Sequence, residues 1–172
     1  MSEVKHLHSR EAIAKLKKLV LDIKTCFFCT RTNEEAGANC RPMATQEVDE
    51  WGNIWFLSDK SSEKNCEIHE DDKVQLFYAD PGKSSFIVVN GHAEELFDKQ
   101  KTDDLWTPLA KTWFREGKND PNISLVRVKP ESAYFWDTKG NRMINFIKMV
   151  ASATTGTALV VETEQGEIQV NR

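Results

Sequence analysis

The chain has no long apolar run, no glycine-rich phosphate loop and no block of like charge, and each absence removes a class of function. Nothing approaches the roughly 18 consecutive apolar residues of a spanning helix, and the opening MSEVKHLHSR lacks the apolar core of a signal peptide. A soluble, cytoplasmic protein with no membrane partner is therefore expected. Neither a GxGxxG fingerprint nor a Walker loop occurs, which removes the two commonest nucleotide cradles. With 23 Lys+Arg against 27 Asp+Glu, a net charge of -4 and no basic cluster, a nucleic-acid partner is not expected either. No internal repeat is present. At 172 residues the chain has the length of one domain, spanning 1–172, able to bury a core without disulfides or metals.

Cysteine is sparse. Four residues, Cys26, Cys29, Cys40 and Cys66, in a chain of this size read as reduced thiols and not as a disulfide framework. Cys26-Phe-Phe-Cys29 and Cys66-Glu-Ile-His69 have metal-ligand spacing and together would make a Cys3His zinc site. Against that, the CxxC lies in the apolar run TCFFCT without a turning glycine, and positions 26 and 29 of a strand face opposite ways. No metal is expected.

What is present is periodicity. Residues 9–24, SREAIAKLKKLVLDIK, place Ile13, Leu16, Val20 and Ile23 at helical spacing behind Ser9 as N-cap. From residue 25 the period becomes two: TCFFCTRT, NCRPMATQEV and IWFLS, parted by NEEAGA and DEWGN, read as three antiparallel strands of a meander. A short helix at SEKNCEIHE, the strand KVQLFYA, a Pro81-Gly82 turn and the long strand SSFIVVNGHAEELF follow. Residues 98–118 read as an inserted helix burying Leu105, Trp106, Leu109, Trp113 and Phe114, before ISLVRVKPESAYFW returns to strand. Met143, Phe146, Ile147 and Val150 make the following segment helical until Gly156, and ALVVETEQGEIQV fits a hairpin or an interface strand. The pattern predicts a mainly β fold: an antiparallel barrel over 25–136 with peripheral helices at 9–24 and 98–118 and a C-terminal helix and tail over 140–172. IWFL and FIVV are apolar on both faces, which a single small barrel would struggle to bury, so a homodimer is expected.

Pro42 sits in the middle of a predicted strand, where it cannot donate to a ladder. It marks an edge, a bulge or backbone left open to a ligand. A hairpin brings its neighbour Arg41 near Ser58 and the start of the short helix, where Ser61 or Ser62 caps and Lys64 lies one turn in. Two hydroxyls, two cations and a helix N-terminus make an anion site. The alternative from the residues alone is an ordinary cap beside an exposed arginine.

Four stretches, RPMAT, GNIWFLSDKSSEKNCEIHEDDKVQLFYADP, FIVVNGHAEE and YFWDTKGNRMINFIKM, resemble in order and spacing the general stress protein branch of the pyridoxamine 5′-phosphate oxidase-like proteins, over residues 10–150. The resemblance implies a homodimeric, antiparallel split β-barrel with flavin mononucleotide (FMN), or the larger FAD, held at the subunit interface. It implies that Arg41 reaches the phosphate or ribityl end and that Pro42, Met43, Ala44 and Thr45 run along the pyrimidine side of the ring. Leu57 and Ser58 would continue the wall, Ser62 and Lys64 match the phosphate-binding pair, and Trp136 matches a tryptophan contributed by the partner.

Two departures bear on substrate. Where the vitamin B6 oxidases carry an arginine before the phosphate-binding lysine, Glu63 stands here. Where they carry Arg-x-His after the tryptophan, the stretch is Arg142-Met143-Ile144. An anchor for the vitamer's phosphate is thus missing, and oxidation of pyridoxine or pyridoxamine 5′-phosphate is not expected. No side chain stands out as acid, base or nucleophile, which suits flavin chemistry. His92 has no partner that the sequence names, and Trp51, Trp106 and Trp113 read as core or interface aromatics. The expected function is an FMN-dependent oxidoreductase of the general stress type, taking electrons from a reduced nicotinamide or another small reductant. The alternative is a flavin-binding stress or sensor module without turnover.

Overall fold

The computed structural model describes residues 4–32, 35, 37–138 and 163–169. Eight strands and three helices follow in the order β1 (Val4–His8), α1 (Ser9–Ile23), β2 (Thr25–Thr30), β3 (Asn39–Val48), β4 (Ile54–Asp59), α2 (Glu63–Glu70), β5 (Lys73–Asp80), β6 (Ser85–Leu96), α3 (Lys99–Leu105), β7 (Ile123–Thr138) and β8 (Thr163–Gln169). The expected helix at 140–156, with Arg142 and Ile144, lies outside the described residues.

Six strands close a barrel in the order β7-β4-β3-β2-β5-β6, with β6 returning to β7, and every pairing in it is antiparallel. β7 is long enough to serve twice: one edge pairs with β6, while the other pairs first with β4 (Ile123–Val128) and then with β8 (Ser132–Thr138). β1 adds to β8 in parallel, so the sheet beyond the barrel is not purely antiparallel.

Alternation sorts the side chains. Phe28, Leu76, Tyr78, Ile87, Val89 and Phe135 point inward and are buried, with Phe28 edge-on to Phe56 at 5.3 Å between ring centroids. α1 covers this core with Ala12, Leu16, Leu19 and Val20. Ile13 and Ile23, expected on the buried face, are only half-buried, because the face that meets the barrel is rotated toward Ala12 and Leu19. α1 meets β2 at its Thr25 end; α2 meets it at its Thr30 end.

The insertion differs from the single helix expected over 98–118. Asp98 caps α3 by accepting from the Lys101 N–H, and after Leu105 only 3-10 turns follow, at Pro108–Thr112 and Gly117–Asn119. Pro108 cannot continue an α-helical ladder. Leu105 and Phe114 are buried as expected, but Leu109 and Trp113 are 71% and 78% exposed. Leu105 joins Trp55 and Leu125, with Leu57 and Leu96 alongside, in a second cluster. The outer face of IWFL is therefore covered within the chain, which removes one of the two reasons for expecting a dimer.

The other reason stands. Outward-facing Pro42, Phe27, Phe77, Val88 and Tyr134 are successive cross-strand partners on β3, β2, β5, β6 and β7, with Phe86 and Trp136 paired beside them. Phe27 is 58% exposed and Tyr134 44%. A continuous aromatic row of this kind on a sheet face is the kind of surface that proteins cover.

Where β6 shifts register against β7, between Asn90 and Gly91, a Cβ on Gly91 would run into the backbone carbonyl of Lys129. Neither backbone can yield without breaking the ladder. Gly91→Ala should lower stability by about 1–3 kcal/mol, the usual cost of overpacking, read as a lower urea midpoint with an unchanged slope.

Candidate functional site

β3 changes partners along its length. Residues Asn39–Ala44 pair with β2, whereas the ladder with β4 begins only at Thr45, opposite Phe56, with a register shift before Glu47. Beyond that point β4 runs with β7 through Leu57, Ser58 and Asp59. The β4-facing edge of Asn39–Ala44 is left without a ladder partner among the described residues, and Pro42 lies in this stretch. A proline is tolerated where one edge of a strand carries no ladder.

α2 starts where β4 ends. Ser62 holds the N-cap position in extended conformation, but its hydroxyl makes no capping bond; it donates instead to Asn65 Oδ1 at 3.1 Å. Lys64 is buried, and its Nζ donates to Ser58 Oγ, to Ser62 Oγ at 3.2 Å and to Asn65 Oδ1 at 2.8 Å. All three acceptors are uncharged. Burial, reinforced by the neighbouring Arg41 guanidinium, pulls the Lys64 ammonium down to about 8. Asn65 is the hub: Ser58 Oγ donates to its Oδ1 at 2.8 Å, and its Nδ2 donates to Ser124 Oγ at 3.0 Å and to Glu95. Glu95 in turn lies 3.0 Å from His69 Nε2.

Beside this network is a second one around Glu67, whose side chain is fully buried. Its Oε2 accepts from Arg41 Nη2 at 2.9 Å and from Thr30 Oγ1; its Oε1 accepts from Asn39 Nδ2 and faces Arg31 Nε at 3.3 Å. Arg41 Nη1 also donates to Thr30 Oγ1 at 2.7 Å. Burial pushes the Glu67 carboxyl up, but the donors Thr30, Asn39 and Arg41 outweigh it and hold it below the usual glutamate value.

The structure brings Arg41, Ser58, Ser62 and Lys64 into one region, as their expected convergence requires. It does not leave Arg41 open: the guanidinium is committed to Glu67 and Thr30. Arg41, Met43 and Thr45 face the barrel interior, Met43 packing on the core and Thr45 Oγ1 lying 2.7 Å from the Tyr78 hydroxyl, while Pro42 and Ala44 face out. Leu57 packs in the outer cluster, and Trp136 stands 40% exposed on β7 opposite Phe86. Two open clefts lie elsewhere, one of about 440 Å³ bordered by Arg10, Ile13 and Trp51, the other of about 370 Å³ beside Phe97 and Pro121.

Thr30, Asn39, Asn65, Glu67 and Glu95 escaped sequence reasoning. The available signal was α2 itself: an eight-residue helix with one branched aliphatic, Ile68, can pack only by burying polar side chains. Two other expectations are corrected. Cys29 and Cys40, taken as thiols, are disulfide-bonded with Cα atoms 4.1 Å apart, so Cys29 is not available to a Cys3His site; Cys26 and Cys66 are free. His92 does have partners: Nδ1 lies 2.9 Å from Asp72 Oδ1 and Nε2 2.9 Å from Glu131 Oε1, and these two hydrogen bonds raise its pKa.

The family model described as pyridoxamine 5′-phosphate oxidase like matches residues 11–159. The chain belongs to this pyridoxamine 5′-phosphate oxidase-like family. Solved structures carry the same fold. A general stress protein 26 candidate from Jannaschia sp. CCS1 superposes with a TM-score of 0.74 at 19% identity, over 94% of this chain and 99% of that one. The general stress FMN/FAD binding protein from Xanthomonas citri matches at 26% identity and TM-score 0.64, over 77% of this chain and 93% of its own. A protein related to general stress protein 26 from Clostridium acetobutylicum matches at 21% and 0.62, over 75% and 90%. No curated protein matches this oxidase-like chain in sequence.

Removing the acid from the Glu67 cluster strands its donors. Glu67→Ala should cost about 3 kcal/mol, the low end for breaking a buried pair, measured by chemical denaturation. Because the folded-state pKa is depressed, the contribution of Glu67 is present above the unfolded-state value and is lost as pH falls through the folded one. Wild type should thus lose stability below about pH 4 more steeply than Glu67→Gln.

Proposed function

We propose that the chain is a homodimeric FMN-binding protein acting as an FMN-dependent oxidoreductase of the general stress type. The observation that carries this is Lys64: a buried ammonium at the first turn of a helix whose hydrogen bonds go to the uncharged oxygens of Ser58, Ser62 and Asn65, with the carboxylates of Glu95, Asp59 and Glu67 acting on it only from farther off. A buried cation with no carboxylate in direct contact is costly, and a phosphate would supply that contact. The phosphate lies against Lys64, Ser58 and Ser62. The ring lies along the open edge of Asn39–Ala44, meeting Pro42, Ala44 and the backbone of Met43–Thr45, with Leu57 nearby and Trp136 of the partner subunit closing the far side. Arg41 acts by its field and through Glu67 more than by direct contact. The Xanthomonas citri relative, described as FMN/FAD binding, supports a flavin as the occupant.

The second copy covers the aromatic row from Pro42 to Tyr134. Bound flavin supplies hydride acceptance at N5. The chain's own part is to bind the phosphate, shield one ring face and fix the approach of the reductant, for which a reduced nicotinamide is the first choice. Glu63, in the position of the B6 oxidases' arginine, places a carboxylate near the phosphate of any vitamer.

Purified protein should show a flavin spectrum and bind FMN in calorimetry. FAD, riboflavin and FMN in parallel titrations identify the native form. Lys64→Ala should weaken FMN by about 1.5–3 kcal/mol, the range for a charged hydrogen bond. Phosphate raises the pKa of the bound lysine, so affinity should hold below pH 8 and fall as pH rises above about 8. Unchanged affinity in Lys64→Ala would sink the site.

Light scattering should give about twice 19.7 kDa, and Phe77→Glu should return it to the monomer. In anaerobic titration NADH or NADPH should bleach the flavin, whereas pyridoxine and pyridoxamine 5′-phosphates should leave it oxidised. Flavin that binds and is never bleached would leave a binding module without turnover.

A further inference from the structure

The Cys29–Cys40 bond sits where it can act on the rest of the site. In the β2–β3 register Phe28 faces Arg41, Cys29 faces Cys40 and Thr30 faces Asn39. Three of these neighbours, Thr30, Asn39 and Arg41, are the donors that hold Glu67. The same cross-strand row continues outward through Gln75, Asn90 and Ser132, where Gln75 Nε2 donates to Asn90 Oδ1 at 2.9 Å and Asn90 Nδ2 to Ser132 Oγ at 3.4 Å. That row is polar, in contrast with the aromatic row beside it, so the disulfide heads a polar, half-buried border and not an apolar face. The two residues are unequal: Cys29 is 1% exposed, whereas Cys40 is exposed.

We propose that Cys29–Cys40 is a thiol–disulfide exchange site for small-molecule dithiols and disulfides, whose state sets how firmly Thr30, Asn39 and Arg41 hold Glu67 and with it α2. A reductant thiolate attacks the sulfur of Cys40, the exposed residue of the pair, the S–S bond breaks, and Cys29 leaves as a thiolate that takes up a proton. The reductant's second thiolate then attacks the mixed disulfide and expels Cys40, which is protonated in turn. Two electrons pass from the dithiol, which becomes a cyclic disulfide, to the protein, which gains two thiols. Once unbonded, the sulfurs separate to van der Waals contact. Residues 29 and 40 move apart, and the donors on either side of them lose their common focus on the Glu67 carboxylate. The inference does not rest on flavin binding.

The test uses the full chain in graded mixtures of reduced and oxidised dithiothreitol. Thiols are trapped by alkylation and mapped by mass spectrometry, and amide hydrogen exchange is followed over Glu63–Glu70. Cys29 and Cys40 should gain and lose alkylation together along one two-electron transition. Cys66, exposed, should be labelled throughout, and Cys26, whose thiol burial pushes up to about 12, should be spared throughout. Exchange in α2 should rise roughly threefold or more on reduction, and Cys29→Ser and Cys40→Ser should show the faster exchange in every mixture. Should the variants not fold, wild type compared between its two states still decides. The proposal is overturned if both cysteines are alkylated even in the most oxidising mixture, if the bond yields only when the protein unfolds, or if α2 exchanges alike in both states.

Discussion

A single buried carboxylate holds the open end of the barrel together. α2 has little apolar surface, and apart from Ile68 it has no aliphatic with which to anchor itself. Glu67 substitutes for that anchor by gathering donors from Thr30 at the end of β2 and from Asn39 and Arg41 at the start of β3, with the charge of Arg31, just beyond β2, alongside. Such a cluster is stable only when complete, since each donor left over in a low-dielectric setting costs more than its bond contributed. The position of Lys64, one turn earlier on the same helix, follows from it. So does the orientation of Arg41, which is why an arginine expected to point at a ligand is found braced against its own fold.

The parting of β3 from β4 rests on the same constraint. A barrel normally closes its ladders, and a strand whose edge is left open needs something else to fix it. Here β3 is fixed by β2 on one side and by side chains of α2 beyond its end, so Asn39–Ala44 can stay open toward β4 without fraying. Pro42 is compatible with this edge, since no β4 ladder runs along it.

The barrel was legible from the sequence. Short apolar or alternating runs between turn signals placed β2 through β7, helical spacing placed α1, and α2 was read as a short helix behind its serine caps. Where reading failed, it did so for identifiable reasons. Ile13 and Ile23 have the right period, yet the face that meets the barrel is centred on Ala12, Leu16, Leu19 and Val20, which leaves Ile13 and Ile23 at its margins. Pro108 interrupts a helix that the spacing of Leu105, Leu109 and Trp113 would otherwise support. The bonding of Cys29 to Cys40 depends on register: a shift of one residue would set Cys29 against Asn39 or Arg41, and register across a hairpin with a loop this long is not written in local spacing. The partners of His92 come from Asp72 and Glu131, the second 39 positions away, beyond the reach of any pattern. Among the site residues, the chemistry of Lys64, Ser58 and Ser62 could be anticipated because hydroxyls and a cation at a helix start have a recognisable logic. Glu67 was not singled out, because acids on short helices usually face water and only the scarcity of apolar residues in α2 pointed the other way.

The hydrogen bonds of Lys64 have a consequence for selectivity. Its ammonium meets Ser58, Ser62 and Asn65, all uncharged and each able to turn its hydrogen bond elsewhere, while Glu95, Asp59 and Glu67 act on it from farther off. A neutral guest would have to displace a hydroxyl for nothing in return. A guest of charge minus two would gain chiefly from the ammonium, since the Arg41 charge is already paired with Glu67. On the proposed reading such a site would sort molecules by their ionisation more than by their outline, and because Lys64 is buried that preference should persist in salt.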